Sequence, residues 1–344
     1  MRIFITLIIL SLCANGIAST DISAERSKAL LAYAQKSPRV KADYIKVTDY
    51  LVKMGESELE KAKLIYYWLC ENIAYDAESF QKGKYPSTDP SVTMTNRKGV
   101  CSGYANLFHA MGKHAGLDIE VVGGYSKGYG FKQGTKFKGT DHAWNVLTID
   151  GKKIFIDATW GAGYIGKVKS KLVFTKRLSD YWFNTNPYEA IFSHLPSYPD
   201  GNEYQLIQSK LTLKQYEDLP YIRHSFFKSG IVNASKILSD YRKGIVHNLP
   251  KTYALDVDVD ILKAPLEMSK KKKYQFKIVS NQGGKLALFF KDKFLKKVEK
   301  NNNNEYVFDF TPDKKGELKI SIQYPKDIDP NGMFWSAMVY DIRK

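Results

Sequence analysis

Cysteine is scarce in this chain: the 344 residues hold three, at Cys13, Cys70 and Cys101. So few thiols exclude the disulfide framework on which small exported domains rely. Long apolar runs are missing too. The one at residues 3–12 falls short of the roughly 20 residues that a bilayer-spanning helix needs, and nothing downstream approaches that length. There is no solenoid-like repeat, and the glycines form no phosphate-cradling pattern. His109 and His114 stand five apart, off a common helix face, so they do not make a metal pair. Acidic residues are in short supply, 36 against 52 basic ones, for a net charge of +16. The excess is spread along the chain rather than gathered in an arm, which argues against nucleic acid. It leaves either a solvated lysine surface or attraction to an anionic envelope polymer or acidic protein.

What is present begins with an export pattern. Met1-Arg2 gives a positive start, residues 3–12 an apolar run, and Gly16-Ile17-Ala18 a small-residue cleavage site before Ser19. Residues 1–18 are therefore expected to be a cleaved signal peptide, and the protein secreted or periplasmic. Cys13 half-resembles a lipoprotein box, although Leu12 stands where a small residue is usual. Membrane attachment is expected only if Cys13 is lipidated. With 44% hydrophobic and 13% aromatic residues the rest can bury proper cores. Two domains are expected, at 19–248 and 249–344.

Helical spacing is expected over 22–36, ended by Pro38, and over 43–53. Ser57 with Glu60 reads as a capping box ahead of a helix carrying Ala62, Ile65, Leu69 and Ile73 on one face. Cys70 lies on that helix and reads as a buried structural thiol. Residues 76–98 read as a polar loop. The stretch Gly99-Val100-Cys101-Ser102-Gly103-Tyr104 opens another helix, with Ala105, Phe108 and Met111 on one face and Gly116 as its stop. A strand is expected over 119–125, then a Gly/Lys loop over 126–140 with little to bury, a candidate lid. Two β-rich runs, 143–149 and 153–158, are joined by Asp150-Gly151, a hairpin signal. Residues 170–248 read as mixed helix and loop. Beyond them, alternating runs at 253–259, 274–279, 285–290, 306–310, 317–324 and 333–342, separated by turns at 281–284, 301–304 and 329–332, suggest a small all-β sandwich.

The chemistry centres on Cys101. A thiol attacks an amide well only as thiolate, and a helix starting at Cys101 favours negative charge there. Alone, a cysteine starting a helix is as well explained as a small hydrophobe. The hairpin adds the rest. A two-residue Asp150-Gly151 loop pairs Ile149 with Lys152, places Trp144 opposite Asp157 and His142 opposite Thr159, and puts His142, Trp144 and Asp157 on one face. Asp157 would then orient His142, and His142 would deprotonate Cys101 and later protonate a leaving amine. Trp144 and Trp160 flank the site as candidate substrate-lining residues. Asn145 would point away from Asp157 and stays outside the catalytic set.

The segments around Cys101, Asp141-His142-Ala143-Trp144-Asn145 and Ile156-Asp157-Ala158-Thr159-Trp160-Gly161 together resemble the transglutaminase-like superfamily, most closely its kyphoscoliosis-peptidase-like branch. The lead-in from Lys61 through Trp68 to Asp76, and the later Asp180-Tyr181-Trp182-Phe183 and His194-Leu195-Pro196, are similar as well. The resemblance covers about residues 45–230. It implies an α+β fold with a papain-like transglutaminase core; the C-terminal all-β sandwich domain rests on the strand spacing and is a weaker match. It also implies a Cys101-His142-Asp157 triad that transfers acyl groups from peptide or protein amides, by hydrolysis or cross-linking, with no metal and no organic cofactor. A non-catalytic envelope-binding protein that keeps the fold, and an amidase acting on cell-wall or glycan amides, are the alternatives.

Overall fold

The computed structural model describes residues 21–198, 200–252, 259–280, 282–327 and 332–343. The expected leader with Cys13, most of the strand expected at 253–259 and parts of the turns at 281–284 and 329–332 lie outside them. Among the described residues no helix is long and apolar enough to cross a membrane.

The chain opens with three helices, α1 (Ala24–Ala34), α2 (Tyr44–Leu51) and α3 (Glu58–Asn72). Helix α3 packs on α1, α2 and α6 and is buried on nearly every side from Ala62 to Cys70. Ser57 caps it by accepting the Glu60 N–H, but the expected capping box is only half formed. The Glu60 carboxylate accepts from the Glu56 N–H and from Arg26 instead. Cys70 is fully buried, and its thiol donates to the Ala158 carbonyl at 3.5 Å.

The expected loop over 76–98 is more ordered than its polarity suggested. It holds β1 (Ala74–Tyr75), α4 (Ala77–Lys82), α5 (Pro90–Asn96) and β2 (Lys98–Gly99), with β1 and β2 paired in parallel. The two helices are nucleated locally, by Asp76 and Asp89 side chains capping their first N–H groups and by Pro90 at the first turn of α5. Helix α6 (Cys101–His114) follows, and Gly116 at φ 78° turns the chain out of it.

A four-stranded antiparallel sheet carries the rest of the core, in the order β5-β4-β3-β8. Its strands are β3 (Asp118–Ser126), β4 (His142–Ile149), β5 (Lys152–Ile156) and β8 (His194–Tyr198). The β4–β5 pairing is Ile149↔Lys152 through Asn145↔Ile156, the register a two-residue turn requires, with Asp150 and Gly151 both at positive φ. The ladder stops at Ile156, so Thr159 does not face His142 as expected. Helix α7 (Ala158–Ala162) begins there instead, capped by Asp157. One face of the sheet packs Leu147, Ile154 and Ile156 on α3 and α6; the other gathers Val122, Trp144, Val146, Phe155 and Trp182.

Between Gly163 and Arg242 the helix-and-loop expectation missed a hairpin, β6 (Gly163–Val168) and β7 (Lys171–Lys176), turned at Lys169. Its side chains are largely exposed, so no apolar alternation marks it. Short helices α8 (Pro187–Ala190), α9 (Leu213–Asp218), α10 (His224–Lys228) and α11 (Ala234–Arg242) complete this part.

The C-terminal part is antiparallel β, as expected. One sheet holds β10 (Val259–Lys263), β11 (Tyr274–Ser280) and β14 (Glu305–Phe310). The other holds β13 (Lys293–Val298), β12 (Lys285–Phe290), β15 (Gly316–Gln323), β16 (Phe334–Ile342) and the short β9 (Lys251–Thr252). Phe276 of the first sheet stacks on Phe308 and meets Tyr340 of the second edge to face, within one apolar core that binds the sheets into a sandwich. Strand β13 was not anticipated. It is an edge strand whose Lys293, Lys296 and Lys297 are exposed, a composition that discourages pairing with other chains.

Candidate active site

The site is assembled where the N-terminus of α6 meets the open end of the sheet. Cys101 is the first residue of α6 and partly exposed. His142 is the first residue of β4 and buried. Asp157 directly follows β5, where its backbone N–H donates to the Trp182 carbonyl at 2.9 Å and its side chain is wholly buried. The segment around Trp182 and Phe183 runs beside the end of β5, with Ile156 bridging to Phe183, and so fixes the carboxylate.

The three sequence-derived residues come together. His142 Nε2 donates to Asp157 Oδ2 at 2.9 Å. The thiol of Cys101 interacts with the same imidazole and with the Ala143 N–H. Because Nε2 is engaged by Asp157, the imidazole presents Nδ1 to the thiol. Asp157 serves twice, since its Oδ1 accepts the Trp160 N–H at 3.0 Å and caps α7.

The electrostatics follow from those contacts. Burial alone would raise the Cys101 pKa, but the hydrogen bond and charge of His142 and the Ala143 N–H outweigh it and hold the thiol below its ordinary value. Burial would lower the pKa of His142, yet Asp157 and the thiolate raise it. Burial would raise that of Asp157, but His142 and a second histidine hold it well below the usual carboxylate range. Each shift favours the charged form: thiolate, imidazolium and carboxylate.

That second histidine, His194, was quoted in the sequence only as part of a resemblance. It lies at the start of β8, wholly buried, with Nε2 at 3.1 Å from Asp157 Oδ2 and Nδ1 at 2.8 Å from Ser193 Oγ. The ligand atoms of His142, Asp157 and His194 lie within 4.8 Å of one another, a donor set a metal would also use. The 2.9 and 3.1 Å spacings are those of N–H groups donating to a shared carboxylate oxygen.

Strand β3 makes this convergence possible. Gly124 pairs with His142 on one side and Pro196 on the other. A Cβ there would lie 2.2 Å from the Leu195 carbonyl and 2.6 Å from the Trp144 ring, so only glycine lets β8 and the indole close over this point.

The tryptophans divide. Trp144, expected to line the substrate site, is 2% exposed and packs against His142, Phe155 and His194. It forms the floor under the imidazoles rather than a wall open to substrate. Trp160 is half-buried, its ring 5.4 Å from that of His142, and remains at the rim. Asn145 points away, as expected. It donates to the Ala105 and Glu120 carbonyls and ties α6 to the sheet.

The Gly/Lys loop over 126–140 buries more than its composition implied. Lys127 is 1% exposed, with Nζ on the Leu219 carbonyl at 2.9 Å and over the Tyr216 ring. Phe137 packs on Tyr125 and Tyr216, and its N–H donates to Glu217. The loop is thereby strapped to α9, and Gly128 lies against Trp160.

Comparison with known proteins agrees with this architecture. Residues 45–158 match the model of the transglutaminase-like superfamily. Kyphoscoliosis peptidase of Mus musculus is 34% identical over 196 residues, 57% of this chain and 29% of that protein. Its counterpart from Homo sapiens is 30% identical over 221 residues, 64% and 32%. The chain thus spans under a third of the length of these curated relatives. Among solved structures, a crystal structure of a TGase aligns with 48% of this chain and 39% of its own at 21% identity, with a TM-score of 0.28. Residues 45–158 thus form a transglutaminase-like domain, and the chain is similar in sequence to the kyphoscoliosis peptidases.

Proposed function

We propose that the protein is a thiol acyl-transfer enzyme acting on peptide or protein amides, with Cys101 as nucleophile, His142 as acid–base and Asp157 as its orienting carboxylate. One observation carries this reading: a single imidazole is held through Nε2 by a buried, three-donor carboxylate and stands beside a helix-start thiol whose pKa it lowers. The name of the relatives, peptidase, supports amide cleavage.

In the proposed reaction the Cys101 thiolate attacks the amide carbonyl carbon. The C–N bond breaks as His142 gives the Nδ1 proton to the leaving amine, and a thioester remains on Cys101. Water or a second amine then attacks the thioester, His142 takes up the attacker's proton, and the thiolate leaves. These steps use only side chains and the second substrate, so the chemistry calls for no metal or organic cofactor. The leader over 1–18 and the net charge of +16 favour action at an envelope or outside the cell on an anionic partner.

The test is intact-mass spectrometry after incubation with a peptide library or an envelope extract. A mass adduct on Cys101 that is absent from Cys101→Ala and released by water or amine is expected. Persistent absence of any adduct or product, with Cys101 accessible to a small alkylating reagent, would favour the non-catalytic binding role.

A further inference from the structure

We infer that His194 is a positioning residue for the site: a neutral histidine, locked in one tautomer by Ser193, that supplies a further hydrogen bond to the buried Asp157 carboxylate. The inference rests on the triad reading above and adds a residue to it.

The geometry sets the proton positions. Nε2 of His194 faces a carboxylate oxygen and must donate. In a neutral ring Nδ1 must then accept, so the single Ser193 hydroxyl proton goes to it at 2.8 Å in preference to the Ala190 carbonyl at 3.2 Å. A positive charge on this ring is disfavoured. It is wholly buried among Trp144, Phe155, Trp160 and Trp182, with ring centroids at 4.4 to 5.4 Å, and the His142 ring is 5.2 Å away. Burial and that neighbour bring its pKa down to about 4. The ionisable groups around the carboxylate come from every packed element. They are Cys101 from α6, His142 and the adjacent Asp141 at β4, His194 on β8, Cys70 and Tyr66 from α3, Tyr75 from β1 and Tyr104 from α6, these last four kept neutral by burial.

Asp157 therefore has three donors: the Trp160 N–H, His142 and His194. Two come from groups that carry no charge. They solvate a carboxylate that is closed off from solvent, and they draw part of its charge away from His142. Without the His194 donor, that charge falls more fully on His142. The imidazolium then becomes a weaker acid toward the leaving amine, and the fuller carboxylate charge raises the pKa of the Cys101 thiol, so the thiolate is lost at a higher pH.

The experiment follows the rate of Cys101 alkylation by iodoacetamide against pH in the full chain. His194→Phe keeps a ring in the aromatic cage but removes the donor. The acid limb of its profile should move up by about half a pH unit or more. His194→Gln, whose amide N–H₂ can donate from the same place, should return near wild type. Ser193→Ala releases the tautomer lock and should move the limb the same way by less; it carries the test if His194→Phe does not fold. An unmoved limb in folded His194→Phe or, failing that, in Ser193→Ala overturns the inference, as does an equal shift in the Phe and Gln variants. The two readings fail differently. A wild-type Cys101 no faster than an ordinary thiol at pH 6 removes the triad itself, whereas a fast wild type with unmoved variants removes only the role of His194.

Discussion

The two cysteines described by the structure sit on adjacent helices of one core and have opposite chemistry. Cys70, in the last turn of α3, is fully buried; its thiol donates to the Ala158 carbonyl, and burial lifts its pKa well above the ordinary value. Cys101 is also largely enclosed by the protein, yet its pKa falls. Burial is common to both. The difference is a cation beside one of them, because an ion pair repays the desolvation that a lone charge cannot. Sequence neighbours decide little here, since what separates the two thiols is that α6 starts at a strand end carrying His142.

Removing that cation is the sharpest way to break the contrast. In His142→Ala, Cys101 should revert to an ordinary thiol, which at pH 6 is under about 1% thiolate. Alkylation at that pH should fall about 100-fold, to a rate like that of a model thiol. A rate within a few-fold of wild type would mean that the helix terminus alone activates Cys101. Asp157→Asn acts one step further away. The amide oxygen still accepts from His142, but the charge that raises the imidazole pKa is gone, so the imidazolium that supports the thiolate loses its proton earlier and the rate at pH 6 should fall about tenfold. The variant should also lose some stability at neutral pH. The depressed pKa of Asp157 contributes stability above the ordinary carboxylate value, and this is lost as pH falls through the native one.

Cys70→Ala sharpens the comparison from the other side. Its thiol makes one weak hydrogen bond in a packed interior, so the cost should be about 1 kcal/mol of unfolding free energy. The alkylation profile of Cys101 should not change. A native wild type that labels twice, at equal rates, would erase the distinction.

The triad was legible because two of its members share a hairpin. Asp150-Gly151 fixes the register as far as Asn145↔Ile156, and that brings the two open ends of the hairpin, with His142 and Asp157, side by side. Cys101 was legible as the start of a helix that glycine and apolar spacing mark out. His194 was not, because its place depends on β8 lying antiparallel to β3, with His194 opposite Ser126, a pairing of segments some seventy residues apart. The signal that was there is a histidine inside the apolar run Ile191-Phe192-Ser193-His194-Leu195, where burial needs partners for both ring nitrogens. The β6–β7 hairpin and β13 were hidden for the reverse reason. They expose most of their side chains and are held by backbone pairing, which leaves no alternation to read. Trp144 was placed on the correct face but at the wrong depth, since a face does not say what covers it.

The lesson of the two thiols extends to a buried cation without a close partner charge, and there the expected effect is smallest. Lys127 meets a carbonyl and two aromatic rings, while the carboxylates of Glu217 and Asp218 are engaged by Lys136. Burial brings its pKa down to about 7 against only weak attraction from those carboxylates. For a lysine this is a depressed value, so between about pH 7 and the ordinary 10.5 the unfolded chain binds more protons than the native one. Stability attributable to Lys127 must then rise with pH across that window, by up to about 1 kcal/mol from pH 7 to pH 8. Chemical unfolding at the two pH values should show this gain, and Lys127→Met should lack it while keeping the apolar stem packed on Tyr216. A wild type whose stability does not rise, or a Met variant with the same slope, would mean that Lys127 stays charged in the fold. It would then show that a carbonyl and two ring faces can hold a buried charge, the role that only a full ion pair plays at Cys101.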